Sequence, residues 1–160
     1  MEISNKYNLE KPIWTNADFA VMGWHDATIW AMAVVNDNFE FLFDIDYILQ
    51  WVHPIPPETY FSFWVSPATL VFEGVQNIKI DVDLDYIQLI EIADIRRDGP
   101  FASPNGSMTK WKWTIELQQG QIDFEATGYT QYIRKPPFLG GQVLDLDERG
   151  GLSFHRDYID

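Results

Sequence analysis

Phe39-Glu-Phe-Leu-Phe-Asp-Ile-Asp-Tyr47 alternates large apolar side chains with acidic ones, and Leu42 is the one exception. A period of two residues is typical of a β-strand that turns one face to a core and the other to water. The same alternation recurs in residues 78–86, 110–118 and 121–126. The sequence therefore predicts an antiparallel protein built from half-buried strands.

Turn residues separate these strands. Asn36-Asp37 and Gln119-Gly120 favour tight hairpins, whereas Ser66-Pro67 and residues 53–58 interrupt the strand pattern and residues 98–107 read as a long loop. Residues 14–22 favour a short helix capped by Thr15 or Asn16.

We therefore expect a single domain over residues 1–160 with a less regular tail at 138–160. The predicted fold class is all-β and mainly antiparallel, a sandwich or partly open barrel of roughly eight or nine strands with one short N-terminal helix.

The first hairpin predicts a candidate site. A two-residue loop at Asn36-Asp37 pairs Thr28 with Ile45, which puts Asp44 and Asp46 on the outer face and His25 diagonally from Asp46. Two carboxylates and an imidazole can hold a divalent metal or perform acid–base catalysis. The alternative is a solvated polar face. His25, Asp44 and Asp46 are thus the candidate catalytic and metal-binding residues.

Composition limits the classes of function. The chain has 24 Asp and Glu against 11 Lys and Arg, a net charge of −13 and no cysteine. This charge argues against nucleic-acid binding, which needs Lys and Arg to displace counterions. The lack of cysteine excludes disulfides and Cys-based zinc sites. Nucleophile-elbow, zinc-protease, dinucleotide and P-loop motifs are absent, and we expect no cofactor.

Targeting signals are also absent from the sequence. Residues 1–11 lack the basic and apolar regions of a signal peptide. No apolar run approaches the ~20 residues that a membrane helix needs. We expect a cytoplasmic protein that binds no membrane.

Exposed aromatic side chains rimmed by acidic ones suit a protein partner or a carbohydrate. Asp81, Asp83 and Asp85 form the polar face of one strand, and Tyr60 and Trp64 lie in a run that is apolar on both faces. Such a run is either a central strand or a strand whose outer side meets a partner. These five residues are the candidate partner-binding residues.

Four segments together resemble a known group of sequences. They are Gly23-Trp-His-Asp-Ala-Thr-Ile29, Asp44-Ile-Asp-Tyr-Ile-Leu-Gln-Trp51, Phe63-Trp-Val-Ser-Pro-Ala-Thr-Leu-Val-Phe72 and Ala126-Thr-Gly-Tyr-Thr-Gln-Tyr-Ile-Arg134. They resemble a family of small, single-domain bacterial proteins without an established activity. In size, acidity and strand pattern the chain is also generically similar to bacterial immunity proteins, which neutralise toxins. The resemblance implies a bacterial source and supplies no functional residues.

Two functions from different classes follow. The first is a non-enzymatic acidic binding module that engages a basic protein partner, with an immunity role as one version. The alternative is a small metal-dependent or acid–base enzyme that uses His25, Asp44 and Asp46. Acidity that serves only solubility is a third option.

Overall fold

The structure is a computed structural model that describes residues 6–160. Residues 1–5 lie outside the described residues. They begin the N-terminal segment in which no signal-peptide pattern is found. Most of the described chain is β-strand. The strands are β1 (Ile13–Thr15), β2 (Thr28–Val35), β3 (Glu40–Val52), β4 (Ser62–Glu73), β5 (Gln76–Val82), β6 (Ile90–Ala102), β7 (Thr109–Leu117), β8 (Gly120–Ala126), β9 (Gly128–Ile133) and β10 (Phe138–Gly140).

All strands belong to one antiparallel sheet. Its order is β1-β9-β4-β3-β2-β6-β7-β8-β5, and β10 pairs with β4 beyond the end of β9. The end strands β1 and β5 do not pair with each other, so the sheet is not closed into a barrel. Its two halves instead fold over each other around the main hydrophobic core, which confirms the predicted all-β, mainly antiparallel class.

Aromatic rings from both halves meet in this core. Phe72 of β4 packs edge-on against Phe124 of β8 at 4.7 Å and against Trp113 of β7 at 5.1 Å between ring centroids. Such tilted contacts stabilise aromatic pairs beyond the burial of their area. The indole N–H of Trp113 donates to the Ala126 carbonyl, so the core leaves this polar group satisfied.

Two short helices accompany the sheet. A 3₁₀ helix spans Asn16–Val21, and Thr15 caps it: its hydroxyl accepts from Ala17 N while Asp18 accepts from Thr15 N. The predicted N-terminal helix and its cap are therefore confirmed. The second helix, α1, covers Leu146–Arg149 in the C-terminal segment.

The predicted register of the first hairpin is wrong. Val35 pairs with Glu40, which makes a four-residue loop, and a bulge between Ile29 and Ala31 then brings Thr28 opposite Asp46. Phe39 closes the loop in the left-handed conformation, with φ of 54°, and is 64% exposed. A two-residue turn would need a positive φ at Asn36 or at both Asn36 and Asp37, whereas here the left-handed residue is Phe39, at the end of a four-residue loop.

Strand β4 runs through the predicted break at Ser66-Pro67. The Pro67 carbonyl accepts from Arg134 N, so the ring nitrogen points to the same side, where the neighbouring strand changes from β9 to β10. No ladder hydrogen bond is lost there, because the adjoining chain is itself irregular.

Two further boundaries differ from the prediction. Strand β6 extends to Ala102, so the expected long loop shrinks to residues 103–108. The β7–β8 turn falls at Gln118-Gln119, because Leu117 pairs with Gly120. That register differs from the predicted one by two residues, which preserves the inward face of both strands.

Gly120 gives a test of the edge of this sheet. A Cβ at this position would lie 2.0 Å from the Asp81 carbonyl oxygen, and the backbone φ is +150°. We expect Gly120→Ala to lower the free energy of unfolding by about 2–3 kcal/mol, because β5 must move away from β8. Chemical denaturation measures the change.

Gly141→Ala is the matched control, since no atom lies within 4 Å of its added Cβ. It should alter stability by less than about 0.5 kcal/mol. Equal stability of the two variants would contradict the close approach of β5 and β8.

Candidate functional site

Asp44 and Asp46 lie on the outer face of β3, as predicted, but they do not face water. Both residues are 0% exposed. The expectation that the acidic positions of this strand are solvated is therefore wrong for these two. The reason is that the C-terminal segment, residues 141–153, folds over this face and supplies their hydrogen-bond partners.

Two buried arginines neutralise the aspartates. Arg149 of α1 binds Asp44 with both terminal nitrogens, at 2.7 and 2.9 Å, and reaches Asp46 Oδ1 with Nε at 3.0 Å. Arg134, just after β9, donates to Asp44 Oδ1 at 2.8 Å. Bidentate arginine–carboxylate pairs are among the strongest charge-assisted hydrogen bonds in proteins.

Neutral donors complete the cluster. Ser153 N donates to Asp44 Oδ2, and both Leu144 N and the Trp30 indole N–H donate to Asp46 Oδ2, each at 2.9 Å. Each of the four carboxylate oxygens thus accepts at least one hydrogen bond. With their oxygens engaged in this way, the two carboxylates serve as anchors for the C-terminal segment.

The arginines respond to the same surroundings in opposite directions. Burial lowers the pKa of Arg134 against the attraction of Asp44. Burial also acts to lower the pKa of Arg149, but its hydrogen bonds to Asp44 and Asp46 and their negative charges raise it overall. An arginine in such a cluster remains a cation at any pH at which the protein is folded.

His25 does not contact Asp44 or Asp46. Its side chain is 65% exposed, its Nδ1 lies 2.9 Å from the Ala93 carbonyl, and its ring stacks on Trp51. The hydrogen bond to Ala93 raises the pKa of His25, and negative charges including Asp26 add to the rise. His25 lies in a turn before β2 and contacts β6, whereas Asp44 and Asp46 lie beneath the C-terminal segment, so the histidine is not part of the aspartate cluster.

A different carboxylate accompanies His25. Asp26 Oδ1 lies 3.5 Å from His25 Nε2, and Asp26 holds a left-handed backbone with φ of 67°. Glu91 is next to it: burial, then a side-chain hydrogen bond with Asp26, raises the pKa of Glu91. A hydrogen bond between these two carboxyl groups requires that one of them carries a proton. Asp26 lies next to His25 in sequence, yet strand alternation assigns it to the opposite face.

The candidate partner-binding residues lie on separate elements. The predicted strand over residues 78–86 is too long: β5 ends at Val82, where its partner strand β8 begins at Gly120. Asp81 is on β5, whereas Asp83 and Asp85 lie in the 83–89 loop, and all three are exposed. Tyr60 lies in the β3–β4 loop and is 85% exposed. Trp64 lies on β4, where its backbone is flanked by β3 on one side and by β10 on the other. Its side chain is half-buried and packs against Tyr7. Partner binding by these residues stays a prediction.

The sequence argument missed Arg134 and Arg149. They are 90 and 105 residues from Asp44 in the chain, so no local pattern connects them. A signal was nevertheless present, because the outward positions Leu42 and Ile48 flank the two aspartates with apolar side chains. An outer face that is apolar at both ends is typical of a covered face.

Comparisons with protein-family models, with curated proteins and with solved structures found no match for this chain. Within residues 6–160, no group of three or more histidine, aspartate or glutamate side chains is arranged to hold a metal ion. None of the helices in the same part of the chain is long and apolar enough to cross a membrane.

Arg149→Met tests the charge cluster. The change leaves Asp44 and Asp46 buried with only Arg134 to balance two negative charges, so we expect it to lower the free energy of unfolding by about 3–5 kcal/mol. Arg156→Met is the control, because Arg156 forms an exposed ion pair with Glu40. It should cost less than about 1 kcal/mol. Equal losses in urea denaturation would contradict the anchoring role.

The Asp26–Glu91 pair has its own test. We expect Asp26→Asn to lower the pKa of Glu91, since it removes one cause of the rise, whereas Asp94→Asn, beside the same histidine, leaves it unchanged. Because folding raises this carboxyl pKa, its contribution to stability is present at low pH and is lost as the pH rises through the folded value. A ¹³C NMR titration of the Glu91 carboxyl measures the pKa. An unchanged value in Asp26→Asn would overturn the pairing.

Proposed function

We propose that this protein is a non-enzymatic binding module that engages a basic protein partner through an acidic edge, defined as Asp81, Asp83 and Asp85. One observation carries the proposal: three exposed carboxylates lie within five residues, and none of them forms an ion pair with the described part of the chain. Free carboxylates so closely spaced favour a cationic partner.

Exposed apolar side chains accompany the acidic edge. Ile87 is 98% exposed and Tyr86 is 69% exposed, and both belong to the loop that carries Asp83 and Asp85. Aromatic and aliphatic anchors beside charged groups are characteristic of protein interfaces, where the apolar groups supply affinity and the rim charges supply specificity. The acidic edge and the adjoining Tyr86 and Ile87 therefore supply the charged and the apolar components of a protein-binding surface.

The position of β5 in the sheet supports the same function. It pairs with β8 on one side only and is an end strand of the sheet. The carboxylate of Asp81 on this end strand discourages pairing with a second copy of the same acidic chain. Together with Asp83 and Asp85 in the following loop, it attracts a strand or loop that carries lysine or arginine.

Charge beyond the acidic edge would accelerate the encounter. The chain carries a net charge of −13, so a basic partner is attracted before contact, with a rate that falls as salt is added. Neutralisation of a bacterial toxin is the version of this function that the resemblance to immunity proteins suggests.

The test compares two variants of equal charge. Asp81→Asn/Asp83→Asn/Asp85→Asn removes the acidic edge, and Asp145→Asn/Asp147→Asn/Glu148→Gln removes three exposed carboxylates from the C-terminal segment. Immobilised protein is incubated with lysate of the source organism at low salt, and captured proteins are identified by mass spectrometry. We expect a basic protein that the wild type and the control capture and the acidic-edge variant does not.

Kinetics of the purified pair then measure the electrostatic contribution. The acidic-edge variant should associate about tenfold more slowly than wild type at low salt, and the control less than about twofold. Equal association by both variants would show that net charge alone attracts the partner. That result, or the absence of any captured basic protein, would overturn the proposal.

A further inference from the structure

Lys110 of β7 is buried although its position in the alternation predicts exposure. It is 4% exposed, whereas Lys112, two residues along the same face, is exposed. Lysine is almost never this buried unless it is paired. The environment of Lys110 therefore needs an explanation that the strand pattern does not give.

The ammonium group of Lys110 lacks an anionic partner. Its Nζ donates to Gln76 Oε1, and it forms no ion pair with any residue in the range 6–160. An ammonium has three N–H donors, so the amide oxygen of Gln76 satisfies one of them. Burial of a cation is costly without a compensating negative charge, and this cation is buried in a protein that has 24 carboxylate side chains to offer.

A cleft of about 430 Å³ adjoins this lysine. Lys110 and Gln76 line it together with apolar side chains that include Phe39, Val75 and Met108. Its volume lies within the range of small-molecule sites, which combine mostly apolar walls with a few polar groups that fix orientation. Phe39 and Met108 are 64% and 42% exposed, so an occupant would remove apolar surface from water.

The walls of the cleft are fixed by hydrogen bonds. In the 103–108 loop, Asn105 Oδ1 accepts from Ser107 N and from the hydroxyls of Ser103 and Ser107. Opposite this loop, Val75 N donates to the carbonyl of Phe39, which holds Phe39 in its left-handed backbone. A bulky residue with a left-handed backbone is strained, and backbone strain of this kind clusters at ligand sites.

We propose that this cleft binds a small organic carboxylate with an apolar body, and that Lys110 pairs with the carboxylate. A single cation matches a single negative charge, and the net charge of −13 disfavours a dianion such as phosphate. The site is independent of the acidic edge, so either proposal can fail without the other.

NMR titration of the full chain tests the site with three probes. They are 3-phenylpropionate, its neutral analogue 3-phenylpropanamide, and inorganic phosphate. We expect 3-phenylpropionate to shift the amide signals of Phe39, Val75, Ser103 and residues 105–110 with a Kd of about 0.1–1 mM, which is ordinary for a ligand of its size. The amide should bind at least about tenfold more weakly because it lacks the charge. Phosphate should leave these signals unchanged.

Two variants of equal charge separate the cleft from general attraction. Lys110→Met should abolish binding of 3-phenylpropionate, whereas Lys112→Met should change its Kd by less than about twofold. We also expect Lys110→Met to raise Tm by about 2–4 °C, because an unpaired buried charge is replaced by an apolar side chain of similar length. Pro104→Trp, at an exposed position on the rim, keeps Lys110 and should block the cleft, which gives a second test if Lys110→Met does not fold.

Several results would overturn the proposal. One is the absence of saturable shifts in the cleft up to about 10 mM 3-phenylpropionate, an affinity too weak to be specific. Equal affinity for the amide, or undiminished binding in a folded Lys110→Met variant, would show that Lys110 does not recognise the carboxylate. Undiminished binding in a folded Pro104→Trp variant would show that the ligand does not bind in the cleft. A lower Tm in Lys110→Met would show that the lysine is structurally compensated.

Discussion

Two carboxylates buried at the centre of β3 require two arginines, and this requirement holds the C-terminal segment on the outer face of the sheet. Asp44 and Asp46 are fully buried, and Arg149 contacts both of them from α1. Arg134 adds a second cation from the end of β9. Because the loss of one partner from such a cluster leaves an uncompensated charge, β2, β3, the end of β9 and the C-terminal segment hold their positions together. The cluster fixes the position of the segment, while apolar contacts supply most of the stability.

The strand pattern predicted the fold class well and the covering segment poorly. Alternation identifies an inward face directly, because a period of two puts every second side chain on the same side. It says nothing about whether the other side meets water. Leu144, Arg149 and Ser153 cover that side from about 100 residues away, and no local sequence rule connects them to β3. Register failed for a related reason, since no local sequence signal identifies the left-handed backbone of Phe39 at the end of the loop or the bulge between Ile29 and Ala31.

The same acidic alternation has two different outcomes in this molecule. On β3, Asp44 and Asp46 are covered, paired and unavailable to a ligand. On β5 and in the 83–89 loop the carboxylates are exposed and form no ion pair with the part of the chain that the structure describes. The sequences of the two stretches look alike, so only the tertiary arrangement separates an anchor from a free surface. Of the residues proposed from sequence, the acidic edge is therefore available for a partner, while Asp44 and Asp46 are already occupied by their own chain.

The partners of the buried cations distinguish the cleft beside Lys110 from the structural charge cluster. Arg134 and Arg149 each donate a hydrogen bond to Asp44, so both of these buried structural charges have an anionic partner. Lys110 is as buried as Arg134, but among residues 6–160 its ammonium group meets only the neutral amide of Gln76, beside a cleft. The described part of the chain supplies carboxylates to both arginines and none to Lys110, although a buried cation is costly without a negative charge beside it. This contrast is the reason for proposing that a ligand carboxylate in the cleft provides the counter-charge.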